Sequence, residues 1–224
     1  MNDFLNSHAL QEYVVSLRRE LHQHPELSMR EDWTCGRICE ELSALGIPYE
    51  LAGEKNVIGR IEFGPGKRLA IRADFDALPV QETVDVPWKS ALENVMHACG
   101  HDGHTAALLG TAKALLSMKE RLHGTVFLCF QQGEEVGQGA DKCVEYLKAH
   151  GGVDMAIGAH LLSLLDTGTI DIGPGLRANG TDIFHIDITG KGGHGSRPDL
   201  VSNVLTIACD IYQHLIAIPS NRLE

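Results

Sequence analysis

Between positions 9 and 23 (ALQEYVVSLRRELHQ) apolar residues recur at Leu10, Tyr13, Val14, Leu17 and Leu21. That spacing marks one helical face and predicts a helix that Pro25 ends. A second helical face runs from about Glu31 to Leu45 and is closed by Gly46 and Pro48. The pattern then turns extended at Asn56–Phe63 and, after a Gly-Pro-Gly turn, at Arg68–Ala73. Thr105–Met118, small and apolar, reads as a buried helix. Thr125–Phe130 (TVFLCF) is a continuous apolar run with β-branched and aromatic residues, as in a strand covered on both faces. A helix over 139–150 and another buried strand at Asp154–Ala159 follow. Strands alternating with helices across short links predict an α/β fold, with helices layered on a mostly parallel sheet.

From Thr181 the period changes. TDIFHIDITG alternates apolar and polar residues, which predicts a strand with one exposed face. A glycine-rich turn, GKGGHGSRP, leads to a helix at about Asn203–Ile218. A boundary near 175–180 therefore separates a first domain, 1–178, from a second, 179–224. One strand and one helix are too few to enclose a core, so the second reads as the incomplete start of a smaller α+β domain.

Composition narrows the class. With 43% hydrophobic and 22% charged residues among 224, the chain is globular rather than disordered. Its 19 Lys+Arg against 30 Asp+Glu give −11. No basic run interrupts that excess, which argues against nucleic acid or an anionic membrane as partner. The first residues, MNDFLNSHAL, lack the basic-then-apolar order of a signal peptide, and no apolar stretch is long enough to span a bilayer. Six scattered cysteines, several inside apolar patterns, suit a reduced cytoplasmic protein better than a disulfide framework.

The candidate chemistry is concentrated at predicted strand ends. Asp74 and Asp76 follow RLAIRA, Glu134 and Glu135 follow TVFLCFQQ, and His160 follows DMAIGA. A fourth cluster, NVMHACGHDGHTA, opens the buried helix. In open α/β sheets ligands bind beyond the carboxyl ends of strands, so the clusters converge on one edge. In an extended segment Cys99 and His101 would share a face, and thiolate with imidazole suits zinc and its neighbours; a buried cysteine with capping histidines is the plainer reading. Of the adjacent Glu134 and Glu135, whose side chains diverge, one can bind metal while the other serves as general base; a solvated acidic turn is the alternative. His160 is a further ligand or a satisfied core histidine. Asp74 and Asp76 either orient ligand imidazoles or cap the segment before Pro79. His194, in the glycine-rich turn, is by itself only a loop histidine. His22, His24, Cys35 and Cys39 read as structural.

Taken together, LRRELHQHPELS, RADFDALPVQE, MHACGHDGHTA, GEEVGQGA, GAH and GKGGHGSRP resemble the amidohydrolase branch of the aminoacylase and carboxypeptidase family of two-metal hydrolases. The match covers nearly the whole chain in order. The resemblance implies two divalent ions (Zn, Mn, Co or Ni), with Cys99 as the thiolate shared between them. It makes His101, Glu135 and His160 further ligands, Glu134 the general base and Asp76 the support of a ligand. It makes the second domain a lid for dimerisation, and His194 a lid histidine that reaches the partner's site. The implied activity is hydrolysis of N-acyl amino acids, small molecules, by metal-activated water. Relatives continue beyond this point to finish the lid and add one more ligand histidine. Asp199 stands where many relatives have His, and FQQGEE and AHLLSLLDTG depart from the commoner wording. The alternatives are a truncated, inactive fragment of such an enzyme, a Cys–His thiol hydrolase with Cys99 as nucleophile, and a zinc-stapled structural module.

Overall fold

The computed structural model of the chain describes residues 7–176, 180 and 184–222. Two compact units divide them, Met1–Thr169 and Ile170–Glu224. The domain boundary expected at 178/179 lies among residues outside the described ones, as do the opening residues MNDFLN.

The first unit is layered α/β. Helix α1, His8–Gln23, starts at Ser7, whose hydroxyl accepts the Leu10 N–H at 3.2 Å. Helix α2 spans Asp32–Ala44, and strands β1 (Tyr49–Ala52), β2 (Asn56–Glu62) and β3 (Arg68–Asp74) follow. Helix α3 (His101–Ser117), β4 (Thr125–Gln131), α4 (Ala140–Ala149) and β5 (Met155–Gly158) complete the unit. The strands form one sheet in the order β1-β2-β4-β3-β5.

β4 justifies its unbroken apolar run. Val126, Leu128 and Phe130 join the core with Leu17 and Leu21 of α1, Ile38 and Leu42 of α2 and Leu108 and Leu109 of α3. Phe127 and Cys129 point the other way, into a cluster with Cys143 of α4. Both faces are thus covered, and a strand alternating with polar residues would leave half of its positions unmatched.

The sheet departs from the mostly parallel expectation. β3 is parallel to β4 and to β5, but β1–β2 and β2–β4 are antiparallel. The cause is local: only Gly53–Lys55 separates β1 from β2, and so short a link can join only antiparallel neighbours. β5 departs as well. Expected to be buried, it is an edge strand with Met155 62% and Ile157 48% exposed, because a strand paired on one side only gains cover from one neighbour.

In the second unit α5 spans Val204–Arg222. The strand expected over TDIFHIDITG is absent from its described part, Phe184–Gly190; Thr181, Asp182 and Ile183 lie outside the described residues. No described strand pairs with that segment, and alternation alone supplies no hydrogen-bonding neighbour. No helix among the described residues is long and apolar enough to cross a membrane.

Candidate metal centre

The parallel strands β3, β4 and β5 end on the same side of the sheet, and the chemistry collects there. Asp74 ends β3 and Asp76 follows it. After β4 the chain bends at Gly133, which has φ +64°, and enters a 3-10 turn over Glu134–Val136. A Cβ at Gly133 would lie 2.7 Å from Met29 Sδ, so backbone and packing both call for glycine. Cys99 and His101 are not on one extended segment. Gly100 stands between them at φ +90°, so the chain turns directly into α3. Their ligand atoms nonetheless lie within 4.8 Å of each other and of one from His160.

His101 is the centre of the arrangement. It is shared by three triads whose ligand atoms all lie within 4.8 Å of one another: Cys99–His101–His160, His101–Glu134–Glu135 and Asp74–His101–His104. Its Nδ1 donates to Asp76 Oδ1 at 3.1 Å, which turns Nε2 toward Asp74 Oδ2 at 3.6 Å, Glu135 Oε1 at 3.7 Å and Glu134 Oε2 at 3.9 Å. Asp76 Oδ2 accepts from Ser28 at 2.7 Å and from the Glu135 N–H at 2.9 Å. One buried carboxylate therefore fixes both the imidazole and the glutamate turn. His160 Nδ1 donates to the Leu161 carbonyl at 2.7 Å, and its Nε2 faces Cys99 Sγ at 3.5 Å.

The electrostatics are dominated by carboxylates. Burial, then the charge and hydrogen bond of Glu135, then Asp74 and Glu134 push the Cys99 thiol up to about 12. Burial would lower the pKa of His101, but Asp76, Asp74 and Glu135 raise it, so without metal the imidazole is drawn into its cationic form. His101 Nε2 and Glu135 Oε1, both buried, make no hydrogen bond among the described residues. Buried polar atoms ordinarily find partners, and sulfur, imidazole and carboxylate sharing a few ångströms fit a borderline-soft divalent ion, which would hold the thiol as thiolate.

His194 belongs to the second unit, where its Nδ1 lies 2.9 Å from Ser196 Oγ. Several residues around the centre escaped the sequence. His104 Nδ1 donates to Asp74 Oδ1 at 2.6 Å. Glu31 is buried, and its Oε1 accepts the Gly133 N–H at 2.8 Å, holding the bend that presents Glu134 and Glu135. His22 lies buried between Asp102 and Glu82. These partners are separated by 30, 102, 80 and 60 positions. No local spacing reveals such pairs, although His22 had read as structural.

Residues 70–221 match the model of peptidase family M20/M25/M40. N-acyl-L-amino acid amidohydrolase of Geobacillus stearothermophilus is 39% identical over 213 residues, 94% of this chain and 58% of that protein. N-acetylcysteine deacetylase of Bacillus subtilis is 38% identical over 216 residues, 94% and 56% respectively. Among solved structures, Bacillus subtilis YXEP, described as a dinuclear metal-binding peptidase of family M20, aligns over 72% of this chain and 46% of its own, with TM-score 0.68 and 39% identity. A protein from methicillin-resistant Staphylococcus aureus aligns over 100% of this chain and 61% of its own, with TM-score 0.79 and 36% identity. The chain spans about half the length of the curated relatives it matches.

Proposed function

Since the chain belongs to peptidase family M20/M25/M40, we propose that the residues around His101 hold two divalent cations and that the protein hydrolyses the amide bond of N-acyl amino acids. One observation carries this reading: three triads, each with its ligand atoms within 4.8 Å of one another, share the His101 imidazole and draw on three separate strand ends and the start of α3. The relatives' names, N-acyl-L-amino acid amidohydrolase and N-acetylcysteine deacetylase, support the acyl amino acid as substrate class.

In this reading Cys99, His101, Glu135 and His160 would hold the cations, drawn from Zn, Mn, Co or Ni, with Cys99 bound as thiolate. When bound, the cations acidify an attacking water and polarise the scissile carbonyl. Glu134, whose side chain is 40% exposed beside His101, takes the proton of that water and returns it to the leaving amine. Asp76 keeps His101 Nε2 aimed inward, and Asp74 holds His104. His194 and the second unit act as a lid in a homodimer, the histidine binding substrate or oxyanion in the partner's site. Six free cysteines suit a reducing, cytoplasmic setting. A thiol hydrolase is disfavoured, because a thiol pushed up to about 12 supplies almost no nucleophile at neutral pH.

The test is hydrolysis of N-acetyl and N-benzoyl amino acids by the purified protein with Mn, Co or Zn, with and without chelator, beside Glu134→Gln. Turnover should be chelator-sensitive, and Glu134→Gln should lose it while keeping its metal. Near-normal activity of that variant, or loss of its metal, contradicts the assignment. Because the chain spans about half of its relatives, metal uptake without turnover supports the second reading, an inactive fragment that retains the cluster.

A further inference from the structure

We infer that His22, outside the metal cluster, is a positioning residue: a buried imidazolium clamp that holds the loop leading to Cys99 against the helical turn carrying His101. The inference rests on the proposed metal site. The first of those segments is the loop from Leu78 to Met96, closed on itself by reciprocal backbone hydrogen bonds of 3.0 and 3.1 Å between its two ends. Cys99 follows three residues later. The second is the first turn of α3, where His101 is followed by Asp102.

His22 joins both. Its Nδ1 lies 2.7 Å from Asp102 Oδ2 and its Nε2 3.2 Å from Glu82 Oε1. A carboxylate faces each nitrogen, and the hydrogen bond to Asp102 leads the effects that keep the ring charged against burial and against Arg18, whose Nη2 lies 3.1 Å from Nδ1. Arg18 Nε reaches the same Asp102 oxygen at 2.9 Å, so two cations face two carboxylates. The neighbouring His97, whose ring centroid is 6.4 Å from that of His22, is held neutral by burial.

The clamp has further hold on both sides. Glu82 Oε2 accepts the Ser90 N–H at 2.7 Å, and the Ser90 hydroxyl donates to the carbonyl of Val95, also at 2.7 Å, two residues before His97. Asp102 Oδ1 accepts the Gly103 N–H at 2.9 Å, gripping the start of α3. The base of the clamp is firm, because α1 lies close on α3: a Cβ at Gly110 would stand 2.4 Å from Val14 Cγ2. Gln23 adds a backbone carbonyl that accepts from Ala91 at 3.0 Å. Removing the imidazole leaves Glu82 and Asp102 buried with one cation between them. That imbalance loosens the loop against the helix, and with it the Cys99–His101 spacing.

The experiment compares wild type, His22→Ala, Glu82→Gln and the double variant, well below their melting temperatures. Cobalt(II) affinity is read by chelator competition at the thiolate-to-cobalt absorption band. The alkylation rate of Cys99 in the metal-free protein is read by peptide mass mapping. Partners behind a ligand typically tune metal affinity 10–100-fold. His22→Ala should therefore weaken cobalt at least about tenfold and speed alkylation, and the double variant, with the stranded carboxylate neutralised, should recover part of both. Unchanged affinity and alkylation in His22→Ala, even with a lowered melting temperature, overturns the clamp and leaves the metal reading intact. If wild type takes no cobalt the metal reading falls; faster alkylation of the variant then still supports the clamp, and an unchanged rate overturns it. Should His22→Ala not fold, His22→Gln, which keeps one donor toward Asp102, carries the comparison with the same outcomes.

Discussion

The ring of His104 accepts the backbone N–H of Leu161 at Nε2, 2.9 Å away. That bond leaves the ring proton on Nδ1, where it is donated to Asp74 Oδ1 at 2.6 Å. A buried imidazole thereby ties the end of β3 to the residue after His160, and the His104 and His160 rings meet edge-on with centroids 4.5 Å apart.

Replacing His104 with phenylalanine keeps the bulk and removes both bonds. Asp74 keeps its Arg72 partner at 2.7 Å but loses the strongest of its hydrogen bonds. The expected cost is about 1–3 kcal/mol of stability, with weaker metal binding because His160 loses its anchor. Urea denaturation and a metal titration check both, and wild-type values in each contradict the role.

Burial pushes His97 down to about 4, and neither ring nitrogen has a hydrogen-bond partner among the described residues. The unfolded chain takes up that proton near pH 6.5 and the folded one only near 4. Stability from this group is therefore complete above pH 6.5 and lost as pH falls from there toward 4, up to about 3 kcal/mol at 1.36 kcal/mol per unit. The stability difference between wild type and His97→Phe, measured by denaturation at pH 7.5 and 4.5, should shrink or reverse by most of that amount. A difference independent of pH would show that the ring is not buried neutral.

Metal binding should also depend on pH, through different residues. The pKa of His101 is raised, with Asp76, Asp74 and Glu135 prevailing over burial, so a cation must displace its proton. The Cys99 thiol, pushed up to about 12, must give up its proton as well, so apparent cobalt affinity should fall by about tenfold or more per pH unit as the solution is acidified. A flat profile would remove both Cys99 and His101 from the ligand set.

Gly133→Ala should cost about 1–2 kcal/mol for a left-handed backbone, with an added penalty where the new methyl group meets Met29 Sδ. The bend displaces Glu134 and Glu135, so turnover should drop more than the melting temperature alone would explain. Full activity would mean that the bend tolerates a side chain.

Much of the architecture could be read from the sequence, for reasons visible in particular residues. TVFLCF announced a doubly covered strand because Phe127 and Val126 bury on opposite faces, and helix faces such as Leu17 and Leu21 announced a core. β5 was misjudged because four apolar-leaning residues look the same in the middle of a sheet and at its edge. β1, a four-residue strand with three exposed positions, has too little pattern to detect. That Glu134, Glu135 and His160 lie on one edge was legible from strand ends, whereas Cys99 and His101 join them through the turn at Gly100 into α3, not through the extended segment expected. The partners behind them, Glu31, His22 and His104, were not legible, because buried polar pairing between distant positions is decided by packing.

The most direct test of the account is X-ray absorption at the zinc edge of the zinc-loaded protein, alongside Cys99→Ser. The account predicts a sulfur scatterer at about 2.3 Å with nitrogen and oxygen at about 2.0–2.2 Å, the sulfur vanishing in the variant. A shell of light atoms only in wild type, or a sulfur signal that survives Cys99→Ser, would contradict it.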